Sequence, residues 1–421
     1  GATSVASGTV RAGSNNAFGQ TSGLTLASGT TVDLNGKTQT LGSLTNAGTL
    51  NLNGGRLTLT QGGTSTSTGG LAGSGDLILS GGELNISGAN NGLTSTTQAT
   101  VDKDGTLTLA ATDALGQAII NNAGRLNLYA QQIFANTLQG SGSVYTDNKV
   151  TLQGDNQNFT GQYHVITQGN DTGNLILSQA GSLGGTGTTV SLDSASSALT
   201  LDKFGGDFTY TLSGVGGSTL ALTDNADVNL GSNISGFSGN YSINGDSVLT
   251  MTQINGQSKV TLGGAGNTLA LSGLSGVFTN SVSGGGDLLL KNSSVLSLNG
   301  DNSLADEVGV TINSGSSLTL DDLNVFNHAL SGSGTIAVSR SDNKQSFGFG
   351  SNVGSAFTGV LDLSQVQYGL SANNTTALSQ ADLNVGNDAT LTVGSGTQTI
   401  GRLNLNGGKA VFASGGEIGT G

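Results

Sequence analysis

The chain has 421 residues, of which 72 are glycine and none is proline, cysteine or tryptophan. Only 9% of the residues are charged, and 26 acidic against 13 basic side chains give a formal net charge of −13. This excess of acidic residues argues against nucleic-acid binding, which needs a cluster of basic residues. The share of apolar residues plus glycine is ordinary for a folded chain, so disorder is not expected either.

The lack of cysteine fits a protein that crosses an oxidising periplasm unfolded, where a disulfide would block passage. An accident of composition would give the same count. The sequence has no run of about 18 apolar residues to predict a membrane-spanning helix, and no signal peptide begins at Gly1. We therefore expect residues 1–421 to be a single mature fragment, without its signal peptide, of a longer protein.

Residues 48–60 contain two short runs in which leucine alternates with polar residues on either side of Gly54-Gly55. Alternation with period two predicts half-buried strands, and the glycine pair predicts a tight corner. Residues 75–86 repeat the pattern almost position by position. Further copies or partial copies occur at 38–44, 105–109, 124–128, 317–320 and 397–403.

The best helical signal lies at residues 110–120, but this stretch is short and is interrupted by Gly116. We predict a loop or one helical turn before a strand. No proline-rich or charged linker divides the chain, so the sequence predicts no domain boundary.

A second repeated unit pairs a Leu-x-Gly-x-Gly segment with a later Phe-Thr/Ser-Gly step at Phe159, Phe237 and Phe357. The separations from leucine to phenylalanine are 21, 25 and 27 residues. Varying length between constant ends is typical of loop insertions in a solenoid. The recurrence of phenylalanine at matching positions predicts that its ring packs in the core.

Many short strands with glycine turns also occur in β-sandwiches and propellers. A parallel β-helix is favoured because the strands are very short, the turns are Gly-Gly or Gly-Asx, and each strand has one apolar side. We therefore predict an all-β fold, a parallel β-helix of about 20 coils with ~20 residues per coil. At ~4.8 Å per coil the rod would be on the order of 100 Å long.

Few residues are candidates for catalysis. The two histidines, His164 and His328, are expected to be structural or to lie on the surface. Gly245-Asp246-Ser247 resembles the nucleophile segment of chymotrypsin-like proteases, but Val248 replaces the following glycine, so a turn is the better interpretation. We expect no catalytic residue and no enzyme.

No stretch predicts a metal or a cofactor. Residues 263–269 are similar to the calcium-binding nonapeptide, but Thr268 replaces the aspartate ligand. Residues 184–187 are glycine-rich but lack a lysine and a following helix, so they do not predict a phosphate loop. Two groups of acidic residues at turns could bind a divalent ion weakly or could simply be solvated. The first group is Asp301 with Asp306 and Glu307, and the second is Asp321 with Asp322.

An alternative is that the chain is a β-helical enzyme that acts on polysaccharide. Such an enzyme needs carboxylates clustered in a groove. The densest candidate joins Phe204, Phe208 and Tyr210 to the neighbouring charges of Asp202, Lys203 and Asp207. Alternation places the three aromatic residues on one face, so an internal aromatic stack is favoured over a sugar platform.

Two loops are candidates for binding a host matrix protein or glycan, at residues 181–190 and 339–352. The second combines charge with aromatic rings in Arg340, Lys344, Phe347 and Phe349. We name these four as candidate binding residues, expected to be exposed. An ordinary β-turn insertion is the alternative.

Two repeats resemble those of a known family, Gly-Thr-Leu-Asn-Leu-Asn-Gly-Gly at 48–55 and Leu-Gln-Gly-Asp-Asn-Gln-Asn-Phe-Thr-Gly at 152–161. The chain looks like an autotransporter passenger of the AIDA-like and antigen-43-like adhesin type. The resemblance implies a right-handed β-helix on the surface of a Gram-negative bacterium. It also implies a C-terminal outer-membrane β-barrel that presents the passenger and is not in this chain.

We therefore expect a surface adhesin that promotes cell aggregation and biofilm formation. The partner would be the same protein on a neighbouring cell, with rods packing through neutral asparagine, threonine and serine ladders. Binding of a host matrix protein or glycan is the alternative, and a polysaccharide-active enzyme is the third hypothesis.

Overall fold

The computed structural model describes residues 1–19, 23–60, 63–89, 92–253, 258–299, 304–340 and 344–420. Its parallel strands stack as a β-solenoid with about 19 turns, which confirms the predicted all-β parallel β-helix. The chain folds into two compact units. Unit 1 comprises Gly1–Phe204, Thr209–Leu220 and Asn233–Gly239, and unit 2 comprises Gly205–Phe208, Ala221–Ser232 and Asn240–Gly421. That residues 1–421 act as a single passenger fragment stays a prediction.

In the first part of unit 1, each turn of the solenoid adds one strand to each of three parallel sheets. The chain runs through Leu44–Asn46, Thr49–Asn51 and Gly55–Leu59, and the next turn starts at Thr64–Ser67. Leu57 pairs in register with Leu77, twenty positions later. This spacing matches the coil length expected from the repeats.

The described strands of unit 1 form four parallel sheets, and each strand is hydrogen-bonded to the next one named in its sheet. Sheet 1 contains Thr3–Val5, Leu24–Leu26, Leu44–Asn46, Thr64–Ser67, Gly82–Ile86, Gly105–Leu109, Arg125–Leu128, Ser143–Thr146, Gln162–Val165, Thr189–Leu192, Thr211–Gly214 and Gly236–Phe237. Sheet 2 contains Gly92–Leu93, Gly70–Gly73, Thr49–Asn51, Thr31–Asp33 and Thr9–Arg11. Sheet 3 contains Leu138–Gly140, Ile119–Asn122, Gln98–Val101, Gly75–Leu79, Gly55–Leu59 and Thr38–Leu41. Sheet 4 contains Gln132–Phe134, Lys149–Leu152, Asn174–Leu177 and Ala198–Asp202.

Two smaller elements interrupt the solenoid of unit 1. Thr167–Gln168 and Asp171–Thr172 form an antiparallel hairpin, and Ala180–Ser182 forms a 3-10 helix. The strand Thr219–Thr223 and the 3-10 helix Ser232–Ile234 contribute residues to both units.

The described strands of unit 2 are also parallel. Sheet 5 contains Gly205–Phe208, Asp227–Leu230, Val248–Met251, Thr268–Ser272, Asp287–Lys291, Gly309–Ile312, Leu330–Gly332 and Ala356–Phe357. Sheet 6 contains Ser275–Val277, Val295–Asn299, Ser317–Asp321, Thr335–Ser339, Val360–Ser364, Asp382–Val385 and Arg402–Leu405. Sheet 7 contains Val325–Phe326, Ser346–Phe349, Gln367–Leu370, Thr390–Val393 and Lys409–Phe412. Asn240–Ile243, Lys259–Leu262 and Ser281–Gly284 are also paired in parallel in that order, and Gly396–Ile400 pairs with Gly416–Thr420.

The alternation seen in the sequence corresponds to burial. In Gly55–Leu59, the side chains of Leu57 and Leu59 are buried while Thr58 is half-buried. Gly54 has a φ of +78°, which L side chains rarely adopt. A Cβ on Gly55 would lie 2.7 Å from the Lys37 carbonyl oxygen of the preceding turn. The pair therefore forms the predicted corner, and Gly55 also permits close stacking of turns.

The Phe-Thr/Ser-Gly step has a packing explanation. The rings of Phe159, Phe237 and Phe357 are buried, as predicted. In each copy the ring of the phenylalanine lies over the glycine two residues later. A Cβ at Gly161 would lie 2.6 Å from Phe159 Cζ, and the corresponding distances are 2.5 Å at Gly239 and 2.7 Å at Gly359. A carbonyl oxygen of the preceding turn is nearer still in each copy, so the glycine is required both by the close stacking of turns and by the ring of its own phenylalanine.

The helical content is small. Residues 112–117 form turns before the strand Ile119–Asn122, as predicted. The α-helix Ala372–Leu378 was not predicted from the sequence. Its Asn-Asn-Thr-Thr segment has weak helix propensity, and tertiary contacts hold it instead. Asn374 Oδ1 accepts a hydrogen bond from the Phe349 amide at 2.9 Å, and Thr375 donates to Gln398.

Candidate functional site

The structure contradicts the expected exposure of three of the four candidate binding residues in the segment 339–352. The side chains of Arg340, Phe347 and Phe349 are buried, and of the four named residues only Lys344 is exposed. Phe347 and Phe349 lie two positions apart on the strand Ser346–Phe349, so both face the interior. Their spacing in Ser-Phe-Gly-Phe carried this signal, which was missed because the segment was interpreted as a loop. A binding role for Lys344 stays a prediction.

The buried rings form an aromatic cluster in unit 2. Phe347 packs edge-on against Phe349, with ring centroids 5.3 Å apart, and lies 6.1 Å from Tyr368. Phe326 lies 6.4 Å from Phe349 and 5.1 Å from the ring of His328. These residues therefore build the core of the solenoid rather than a surface platform.

Arg340 is a buried charge with little compensation among the described residues. Its side chain is 0% exposed, and Nη1 lies 3.8 Å from Asp322 Oδ1 on a carboxylate that is 74% exposed. Within the described part of the chain, none of its three side-chain nitrogens has a hydrogen-bond partner. Burial lowers the pKa of Arg340, and Asp322 and Asp321 oppose that shift. Arg340 is therefore unavailable to a ligand at the surface.

Most other candidates from the sequence take structural positions. Ser247 is buried, its Oγ donates to the Asn244 carbonyl at 2.6 Å, and it accepts from the Ala226 amide at 3.1 Å, so the turn interpretation is confirmed. Asp306 and Glu307 lie exposed in a turn, while Asp301 lies outside the described residues. No group of three or more potential metal ligands occurs among the residues that the structure describes.

The aromatic residues near position 204 are also internal. Phe204, Phe208 and Tyr210 are each buried, as the favoured interpretation predicted. Lys203 and Asp207 are exposed. The three rings are therefore not displayed as a sugar platform.

His164 belongs to a row of stacked side chains on the outer face of sheet 1, which sequence analysis missed. The Arg125 guanidinium carbon lies 3.7 Å from the centre of the Tyr145 ring, and that ring stacks on His164 at 4.4 Å. His164 Nδ1 lies 2.7 Å from Asp193 Oδ2. The hydroxyl of Ser191, the in-register neighbour of His164, donates to Asp193, whereas a nucleophilic triad needs a serine hydroxyl hydrogen-bonded to the histidine.

Sheet 3 presents an outer surface of unusual neutrality, which we call the neutral face. One residue from each of its strands lies in register along the sheet and is half-buried, and these residues are Thr40, Thr58, Ile78, Thr100, Asn121 and Gln139. None is charged. In the adjacent row, Arg56 and Asp76 pair at 2.9 Å, so their charges cancel, and Asn121 donates to Gln98 at 2.9 Å.

The outer faces of unit 2 differ in charge. Sheet 5 carries the carboxylates of Asp207, Asp227 and Asp287 on outward positions, together with Lys291. Sheet 6 carries three outward carboxylates, from Asp321, Asp362 and Asp382, together with Arg402. Burial raises the pKa of Asp287, and it also raises the pKa of Asp362. The neutral face is therefore distinct from these two faces.

A cleft in unit 1 is formed by the glycine-rich segment 184–187 and its surroundings. Its cavity volume is about 650 Å³. The lining residues are Gln157, Gly181, Gly184, Gly185, Thr186, Gly187, Thr209 and Tyr210. Part of the candidate loop 181–190 therefore lies at a groove. The sequence did not identify the opposite wall, and a binding role for this loop stays a prediction.

Hydrogen bonds from side chains of neighbouring turns hold the loop that lines the cleft. The buried hydroxyl of Tyr163 donates to the Leu183 carbonyl at 2.9 Å, and Asn156 Nδ2 donates to the Ser182 carbonyl. The Tyr210 hydroxyl lies 2.6 Å from the Ala180 carbonyl oxygen and 2.9 Å from that of Gly184. Burial raises the pKa of both tyrosines, which keeps their hydroxyls protonated as donors.

Comparisons with known proteins add little to this picture. No family model matches the chain. An uncharacterised lipoprotein of Escherichia coli K12, YdeK, is 38% identical over 85 residues, which are 20% of this chain and 6% of that protein. The chain was also aligned with the crystal structure of a TibA fragment that is hyper-glycosylated by TibC. This alignment covers 100% of this chain and 97% of the fragment, with 12% sequence identity and a TM-score of 0.12. Neither similarity carries an argument about function.

Among the described residues, no helix has both the length and the apolar character that a membrane crossing requires.

Proposed function

We propose that this protein is a non-enzymatic adhesin of the autotransporter passenger type on the surface of a Gram-negative bacterium. Copies on neighbouring cells associate through their solenoids and so promote aggregation and biofilm formation. The proposal rests on the repeats at 48–55 and 152–161, on the solenoid fold and, above all, on the neutral face of sheet 3.

The neutral face supports self-association because of the charge of the whole chain. Two copies that each carry a formal charge of −13 repel one another, so contact is least costly where a surface has no net charge. The six in-register residues of the neutral face, which form its central row, offer hydroxyl and amide groups with one isoleucine and include no carboxylate. Each hydrogen bond across such a contact contributes only ~1 kcal/mol net. Many copies on each cell would convert weak contacts into adhesion through avidity.

The test introduces a charge into the neutral face. Thr58→Asp places a carboxylate in the middle of the central row, so each copy brings a negative charge to the contact. We expect sedimentation velocity to show self-association of the wild-type chain and at least ~10-fold weaker association of the variant, which is ~1.4 kcal/mol.

Thr319→Asp is the matched control. Thr319 is a half-buried, outward residue in the middle of a sheet 6 strand, so the variant has the same net charge and the same loss of strand propensity. It should associate like the wild type. Equal weakening by both variants, or a wild-type chain that stays monomeric at every concentration, would contradict the proposal.

A further inference from the structure

The cleft of unit 1 differs from the neutral face in shape and in chemistry. It is concave, whereas the neutral face is the outside of a sheet, and its volume of about 650 Å³ lies within the ~300–1,000 Å³ of ligand pockets. The sheet 3 strands that form the neutral face contribute no residue to its lining. It therefore offers a separate place for a ligand.

The lining selects for an uncharged ligand rich in hydroxyl groups. None of the described residues that line the cleft is charged, so nothing in this lining compensates the charge of a phosphate, a sulfate or a carboxylate. Gln157 provides an amide, which both donates and accepts, and Thr186 and Thr209 provide hydroxyls. All three side chains are on exposed residues at the rim. Such groups match the alternating donors and acceptors of a neutral sugar.

The backbone of the loop that lines the cleft is closely packed and hydrogen-bonded without a ligand. A side chain at Gly184 would collide with Thr188 Oγ1, and one at Gly185 would collide with the Gln157 carbonyl. The loop therefore packs directly on the turn below it. The side chains of Tyr163 and Asn156, together with Tyr210 of the lining itself, hydrogen-bond its carbonyl groups. A preformed site loses little conformational entropy on binding, which favours affinity for a small ligand.

Gly187 leaves the mouth of the cleft open. It has a φ of +98°, and a Cβ built on it would have no atom within 4 Å. Thr186, its neighbour, is exposed. A larger side chain at position 186 would therefore occupy the opening without displacing the packed part of the loop.

We propose that this cleft is a binding site for a short neutral oligosaccharide, held by Gln157, Thr186 and Thr209. The site makes the protein a glycan-binding adhesin in addition to a self-associating one. Its ligand class follows from the uncharged lining and from the fixed loop behind it.

The proposal is tested with the whole chain and two tryptophan variants. Thr186→Trp fills the mouth of the cleft, and Thr96→Trp adds the same ring at an exposed turn elsewhere in unit 1. The probes are neutral di- to tetrasaccharides of glucose, galactose and N-acetylglucosamine, each paired with a sulfated counterpart. Binding is measured by saturation-transfer NMR and by titration. We expect a neutral probe to bind the wild type and Thr96→Trp equally, and Thr186→Trp at least ~10-fold more weakly.

A second variant removes hydrogen bonds instead of adding bulk. Gln157→Ala/Thr209→Ala should also weaken binding of the same neutral probe, without filling the cleft. Silence of the wild type across the panel, tighter binding of the sulfated probes, or full binding by Thr186→Trp would overturn the proposal. Sedimentation of Thr186→Trp should match the wild type, so failure of this site and failure of self-association are distinguished.

Discussion

The glycine of the Phe-Thr/Ser-Gly step gives a residue-scale prediction. In Gly161→Ala the new Cβ would meet both the Gly142 carbonyl oxygen and Phe159 Cζ, so the ring or the backbone must move. Overpacking of this kind costs ~1–3 kcal/mol, and we expect a lower midpoint of urea unfolding followed by far-UV circular dichroism. Gly216→Ala is the control, because a Cβ there meets nothing within 4 Å at an ordinary φ. Equal stability of the two variants would contradict the packing explanation.

His328 gives a second residue-scale prediction, about pH. Burial lowers the pKa of His328, partly offset by its hydrogen bond to the Val308 carbonyl and by Asp306. Because the folded pKa lies below the unfolded value of ~6.5, the full stability is present above that value. It falls as pH drops below 6.5 toward the folded pKa, since protonation favours the unfolded chain.

His328→Gln removes this titration and keeps an N–H donor for Val308. We expect the wild-type free energy of unfolding to fall more than that of the variant between pH 7.5 and 5.5, with a difference in slope of at most ~1.4 kcal/mol per pH unit below 6.5. Asp287 and Asp362 have the opposite sign, because their raised pKa favours the folded state as pH falls. Both carboxylates are present in the two proteins, so the difference isolates His328. Parallel pH curves would contradict the prediction.

At the scale of elements, the sequence predicts the strands well, but it predicts poorly the helix and the segments between repeats. Alternation with period two is local, so the strands at Gly55–Leu59 and Gly75–Leu79 and their register are predictable from leucine positions. The helix Ala372–Leu378 was missed because contacts such as the hydrogen bond from Phe349 to Asn374 come from distant residues. Element assignment also decides exposure, as Phe347 and Phe349 show: interpreted as loop residues they would be exposed, and on a strand they are buried.

The candidate sites depend on which residues meet across turns, and this limits prediction. The glycine-rich segment 184–187 stands out in the sequence, but its partners Gln157 and Tyr210 lie more than twenty positions away in each direction. Turns of variable length separate them, so their meeting follows from the fold and not from any local spacing. The neutral face could not be predicted for the same reason, because its six residues become neighbours only through the register of the strands.

At the scale of the whole molecule, net charge gives the last prediction. The formal charge of −13 opposes contact between like chains, and salt screens that repulsion, with a Debye length of ~30 Å at 0.01 M and ~8 Å at 0.15 M. Hydrogen bonds between neutral side chains keep most of their strength over the same range of salt concentration. Self-association measured by sedimentation velocity should therefore strengthen from 10 mM to 150 mM sodium chloride. Contacts built on opposite charges would behave in the reverse way, because screening weakens attraction as it weakens repulsion. Association that is strongest at 10 mM and collapses as salt rises would therefore place the contact on ion pairs and away from the neutral face.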